Sequence, residues 1–249
     1  MKIINKFCLL AFLLLSISAL SHPLDEFLIL DIEEGQMNLE DEEMTEEYVA
    51  ALKRQQQRRL AAKTGSERFW LFTKAGVEHI IPKGIDHILF VLGLFFSSLF
   101  FRPLLWQVTA FTLAHTITLA MAVLGVLTIP GEIVEPLIAL SIVWVAVENC
   151  LFKKTTKWRP AIVFGFGLLH GLGFASVLSA YGLPKANFVP ALLAFNIGVE
   201  IGQLLVLLGA AVLFWLTRKK FWYRKRVQIP ASLTIATVGF YWFVERVFL

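Results

Sequence analysis

The sequence predicts an all-α membrane protein with six transmembrane helices after a cleavable signal peptide and a short exported N-terminal segment. Three observations predict it. Of the 249 residues, 57% are hydrophobic and 17% charged, with a mean hydropathy of +0.69; soluble globules do not have that balance. The apolar residues come in runs of roughly 18 to 25, the length that crosses a hydrocarbon core of about 30 Å. The charge is also sorted along the chain: 12 of the 19 acidic residues lie between His22 and Arg68, and the rest of the chain holds 7 acids and 17 of the 23 bases. The net +4 is a difference between separated populations, which argues against a basic nucleic-acid-binding surface.

Lys2 and Lys6 precede the apolar run Phe7 to Leu15, and a small-residue stretch ends Ala19-Leu20-Ser21. That is the pattern of a secretory signal over residues 1–21, cleaved after Ser21; an uncleaved anchor would export the next segment equally. Cys8 has no lipobox before it, so cleavage leaves Cys150 as the single cysteine and no intrachain disulfide. Residues 22–68 read as an extracytoplasmic segment, first acidic, with six carboxylates from Glu40 to Glu47, then basic through Lys53, Arg54, Arg58, Arg59 and Lys63. Leu28, Leu30 and Ile32 alternate before Glu33-Glu34-Gly35-Gln36, as in a short hairpin, and Thr45-Glu46-Glu47 opens a charged helix. With so few core candidates, this segment either docks on the membrane domain or stays solvated as an arm.

The membrane domain occupies 69–249, and hydropathy places its spans at about 85–101, 104–125, 134–152, 161–180, 189–216 and 228–248. Arg102 follows span one, Lys153, Lys154, Lys157 and Arg159 follow span three, and Arg218, Lys219, Lys220, Arg224, Lys225 and Arg226 follow span five. The alternate loops carry only Lys185 with Glu132 and Glu135. The positive-inside rule puts the basic loops in the cytoplasm and both mature termini outside, in agreement with the exported signal. Phe69, Trp70 and Phe72 at one boundary and Tyr241 and Trp242 near the other end read as interfacial anchors against the lipid bilayer.

Histidine usage points to the chemistry. Four of the five histidines, His79, His87, His115 and His170, lie in or at the spans, and the fifth, His22, would be the new amino terminus. Ionisable groups inside a span cost about 2.5–3.5 kcal/mol each on insertion scales and are usually retained for transport, relay or chemistry. In His79-Ile80-Ile81-Pro82-Lys83-Gly84-Ile85-Asp86-His87, the proline and glycine break the helix, so His79 can fold back toward Asp86 and His87. Two imidazoles and a carboxylate suit borderline divalent ions such as nickel, zinc, cobalt or manganese, and not thiolate-preferring copper(I). Alternatively, Asp86 pairs with Lys83 and the histidines snorkel to the interface.

Span two places Thr112, His115 and Thr116 on one face, where His115 is a ligand, a proton relay or a helix-to-helix hydrogen bond. Span four carries His170 between Gly167 and Gly171, a small-xxx-small pair for close helix approach. Span five aligns Asn196, Glu200 and Gln203, and a carboxylate at the depth of Glu200 either protonates or finds a cation, with His115 or His170 at the right depth to be its partner. Glu148 lies about a turn from Lys153 and reads as an ion pair or cytoplasmic gate. From outside to inside the order is Asp86 and His87, then His115, His170 and Glu200, then Glu148, a polar path across the membrane.

These blocks resemble the second branch of the HupE/UreJ family. They are His79 to His87 with Ile88-Leu89-Phe90, Phe111 to Thr116, Glu135 through Ser141 to Asn149, Phe166 to Ala175, and Phe195 to Gln203. The opening His22-Pro23-Leu24-Asp25-Glu26 is similar to mature members of that branch. The resemblance implies a polytopic protein of the bacterial inner membrane, and members of the first branch are linked to nickel supply for hydrogenase and urease. Asp86 and His87 match that nickel branch, but His79 stands one residue further from the pair, and Leu172-Gly173 stands where that branch has a second histidine after His-Gly.

Three function classes fit the residues. The first is a divalent-metal permease, with Asp86, His87 and His79 as outer capture site and His115, His170 and Glu200 as translocation site. No nucleotide-binding motif is present, so a gradient or proton exchange would drive it. The second is an intramembrane metal-dependent hydrolase, with His87, His115 and His170 on zinc and Asp86 or Glu200 activating water. It lacks a helix-borne His-Glu-x-x-His. The third is a scaffold for an envelope protein partner, its polar residues holding helices together by about 0.6–2 kcal/mol per bond.

Overall fold

The structure is a computed structural model that describes residues 50–248 apart from 52–53, 56, 99, 128, 153–155 and 174–187. Thr64 starts the first helix of the membrane domain. Its hydroxyl accepts from the Glu67 backbone N–H at 3.3 Å, while Glu67 Oε2 accepts from the Thr64 N–H at 2.7 Å; the reciprocal pair satisfies two of the N–H groups a helix start leaves open. Helix α1 (Gly65–Ile80) leads to α2 (Ile85–Ser97), α3 (Phe101–Val123), α4 (Gly131–Leu151), α5 (Arg159–Gly173), α6 (Phe188–Phe214) and α7 (Ile229–Phe248). A π-helical turn at Arg224–Gln228 opens α7. No strand occurs among the described residues.

Among the described residues, four helices are long and apolar enough to cross a membrane: α3, α4, α6 and Arg224–Phe248. The pair α1 and α2, bent by 71°, makes a fifth if it is one broken span. The first span therefore differs from the single helix expected over 85–101. Helix α2 has 13 residues, about 20 Å at 1.5 Å per residue, too short for a core of about 30 Å. If the pair is one span, α1 is its other half, which hydropathy passes over because Lys74 and Glu78, 3.5 Å apart, and Lys83 interrupt the apolar run. The signal peptide and the expected hairpin lie outside the described residues. The described part of the charged helix, residues 50–51, 54–55 and 57–62, is helical, and Leu60 is buried in a cluster with Phe72, Phe188 and Phe195.

Three helix pairs carry the most extensive packing: α1 with α6, α3 with α5, and α4 with α7. Glycines set the first two. A Cβ at Gly76 would strike the Phe195 carbonyl and the Val199 N–H, and one at Gly198 would strike the Thr73 carbonyl and the Val77 N–H; α1 and α6 thus lie backbone to backbone, running parallel. Gly167 and Gly171 do the same against Phe111, Ala114, His115 and Thr118, bringing α5 parallel to α3. This is the close approach that small residues permit where lipid offers no hydrophobic drive between helices. The α4–α7 pair is antiparallel and tied at both ends. Arg224 donates to the Asn149, Cys150 and Phe152 carbonyls that end α4, and Arg246 donates to the Glu135 carbonyl at its start. Trp106, Trp144, Leu208 and Val212 are among the apolar side chains on the outer surface, the coat that helices in lipid require.

Glu148 does pair, but with Arg159 at the head of α5, at 3.0 Å and buried; Lys153 lies outside the described residues. Arg159 also reaches Asn149 Oδ1 at 3.4 Å, and Asn149 Nδ2 donates to the Gly93 carbonyl at 2.8 Å, fastening α2 to α4. Removing one member of a buried pair strands the other charge and costs about 3–5 kcal/mol. Glu148→Leu is therefore expected to lower the thermal midpoint in detergent sharply, and an unchanged midpoint would refute a buried pair.

Candidate metal centre

The break between α1 and α2 positions the centre. Helix α1 ends where the Ile81 N–H bonds the Val77 carbonyl at 2.8 Å, residues 81–84 turn the chain, and Gly84 packs against the His79 carbonyl where a Cβ would not fit. The rings of His79 and His87 meet across this turn with centroids 4.7 Å apart. Ile80 lies against Gly202 near the middle of the 27-residue α6, so the break falls level with the middle of that helix. His115 comes from α3, 5.9 Å ring to ring from both, and His170 from α5, 4.9 Å from His87. All four are buried.

One ligand nitrogen from each of His79, His87 and His115 lies within 4.8 Å of the others. Three nitrogens about 2.1 Å from one ion stand at most about 3.6 Å from one another, so a shared ion would draw these rings together by roughly an ångström. The donor set fits a borderline divalent ion. His170 stands beside the triad as a fourth imidazole.

The partners on the far sides of the rings orient them. His87 Nδ1 lies 3.0 Å from Asp86 Oδ1, His115 Nδ1 3.2 Å from Asn196 Oδ1, and His170 Nδ1 2.8 Å from the Phe166 carbonyl. Carboxylate, amide and carbonyl oxygens only accept, so Nδ1 is the donor in each of the three rings, and a ring carrying a single hydrogen has its lone pair on Nε2. The Nε2 atoms of His87, His115 and His170 are buried with no hydrogen-bond partner among the described residues. Metal-binding histidines have this arrangement, one nitrogen donating outward and the other presented inward.

The centre has a dry layer on one side. Phe90, Phe111 and Phe166 stand one turn along their helices from His87, His115 and His170. Their rings contact one another and the histidines, with Phe90 to Phe111 at 5.1 Å, Phe90 to Phe166 at 6.0 Å and Phe111 to His170 at 4.9 Å. The Asp86 side chain, 24% exposed, is the member of the group with contact to the surroundings.

Of the residues singled out from sequence, His79, Asp86, His87, His115 and His170 come together. Glu200 does not join them: its carboxylate accepts from Thr109 Oγ1 at 2.7 Å on the partly exposed flank of α3 and α6. The partner of His115 is Asn196, one turn earlier on α6. Its place on the Glu200 face was the available signal, and a neutral amide suits a buried neutral imidazole without adding a charge. The phenylalanine layer left no signal apart from its spacing to the histidines.

A family model described as HupE / UreJ protein, the second of that name, matches residues 54–246. No curated protein and no solved structure matches the chain.

Proposed function

The chain belongs to the HupE/UreJ family, a multi-pass membrane protein, and from that premise we propose that it is a permease or supply protein for a divalent transition metal. The observation that carries this reading is the four-histidine cluster at the break of a helix, level with the middle of α6. Transporters characteristically hold substrate at the midplane on discontinuous helices, whose irregular backbone lines the site. Nickel, zinc, cobalt and manganese all remain within the donor chemistry, and the ion is cargo.

In this reading the protein lies in the bacterial inner membrane and crosses it six times: α1 with α2 as one broken crossing, then α3, α4, α5, α6 and α7. The basic residues around Arg102, Lys157 and Arg218–Arg226 face the cytoplasm, and both mature termini face outward. The ion reaches the partly exposed Asp86 first and passes to the Nε2 atoms behind it. Asp86 stays bonded to the His87 ring, which suits a residue that orients a ligand better than one that activates water, so the hydrolase reading has less support.

The test is metal content by plasma mass spectrometry on detergent-purified protein grown with mixed divalent ions, wild type beside His115→Ala and His170→Ala. Near-stoichiometric metal in the wild type, lost in the variants, is expected. Background metal in three equally folded proteins would overturn a tight site and favour the scaffold reading.

A further inference from the structure

We propose that Asn196 is the positioning residue of the centre: it holds the His115 ring in the Nδ1–H tautomer, so that Nε2 faces the space shared with His79 and His87. The assignment deepens the metal reading, but its first test does not depend on it. The geometry is over-determined. Asn196 Nδ2 donates to the Leu192 carbonyl at 2.8 Å, which fixes the amide so that Oδ1, the acceptor, is the atom turned to His115 at 3.2 Å. Asn196 is itself buried, and its stretch of α6 is pressed onto α1 at Gly198 and Gly202, so it has little room to move. Helix α1 carries His79, so the same helix contact that places the His79 ring also places the amide that orients His115.

The other two orienting groups are of different kinds. His87 is held by Asp86, a neighbouring carboxylate that is itself a candidate ligand, and His170 by the Phe166 backbone carbonyl, which no substitution removes. Of these three groups, Asn196 is thus the one side chain that orients a ring without being a candidate ligand. Removing such a partner typically costs about 10–100-fold in metal affinity.

The experiment has two arms on the full chain in detergent. In metal-free protein labelled with ¹⁵N-histidine, the wild type is expected to give a pyrrole-type Nδ1 and a pyridine-type Nε2 for His115, assigned by comparison with His115→Ala. Asn196→Leu should shift that ring to a mixture of tautomers, and Asn196→Asp, which keeps an acceptor, should retain the wild-type signature. Should Asn196→Leu fail to fold, Asn196→Ser, whose hydroxyl is too short to reach the ring, replaces it. In the second arm, titration with Ni²⁺ alone and Zn²⁺ alone should weaken about 10–100-fold in Asn196→Leu and recover in Asn196→Asp. An Asn196→Leu protein with unchanged tautomer overturns the proposal, as does unchanged affinity in a protein whose wild type binds metal. A wild type that binds neither ion while Asn196→Leu still changes the tautomer would refute the metal reading and leave the positioning role standing.

Discussion

Replacing His87 and His115 together by alanine is expected to bring bound and transported divalent metal to background. The two rings come from α2 and α3, and each presents a buried Nε2 with no partner among the described residues and with a hydrogen held on the opposite nitrogen. Without them the centre keeps His79, His170 and the Asp86 carboxylate, and one donor of the close triad survives. With two of the three clustered nitrogens gone, the donors that remain do not converge on one ion, so the loss should be complete and not graded. The truncations also leave a void at the break, with a stability cost of about 2–5 kcal/mol by analogy with other large-to-small core changes. Flux of ⁶³Ni or a zinc-responsive dye in proteoliposomes, read beside a melting curve, separates the possibilities. Lost flux with a folded protein supports the permease. Unchanged flux in the double variant would eliminate the histidines as its path, and a lower midpoint with no flux even in the wild type would point to a scaffold.

The second large effect is structural. Gly198→Leu is expected to prevent assembly of the membrane domain. The added Cβ alone would overlap the Thr73 carbonyl and the Val77 N–H of α1, and these are backbone atoms of a helix, which no rotamer change moves aside. The two helices would have to separate, drawing His79 away from the centre and exposing paired backbone to the gap. Overpacking in ordinary cores costs about 1–3 kcal/mol, and a clash with backbone along a helix pair exceeds that range. Gly209→Leu is the control, because nothing lies within 4 Å of a Cβ at Gly209 on the same helix. The expected result is monodisperse protein by size-exclusion chromatography for Gly209→Leu and aggregate or no product for Gly198→Leu. Equal yields would show that α1 and α6 are not packed as described.

The helical class and the approach of His79 to His87 were legible because they rest on local rules: apolar run length, and a proline and glycine that stop a helix. The extent of the first span was not. Lys74 and Glu78 dilute the apolar signal of α1, although the helix buries Phe72, Thr73, Ala75, Gly76, His79 and Ile80. Pairings across the bundle were also hidden. Lys153 is nearer Glu148 in sequence than Arg159, yet the turn into α5 brings Arg159 to the carboxylate. Glu200 drew attention by its charge, while the neutral Asn196 one turn away met His115. Sequence spacing shows which residues share a face of one helix, and it does not show which neighbouring helix that face meets.

The division of the bundle into three packed pairs bears on how ion binding and conformation are linked. His79 rides with α1 and α6, His115 and His170 with α3 and α5, and His87 with α2, which Asn149 fastens to α4. No one of these units holds the triad alone, so the distances among the nitrogens measure how the units sit relative to one another. An ion that binds all three stabilises the one arrangement that suits it, and by linkage any force that slides the units apart must loosen the ion to the same degree. Saturating metal should then stabilise the domain by mass action, by about 2.7 kcal/mol at a hundredfold excess over Kd, and raise its thermal midpoint. Release of the ion becomes the same event as parting the helix pairs.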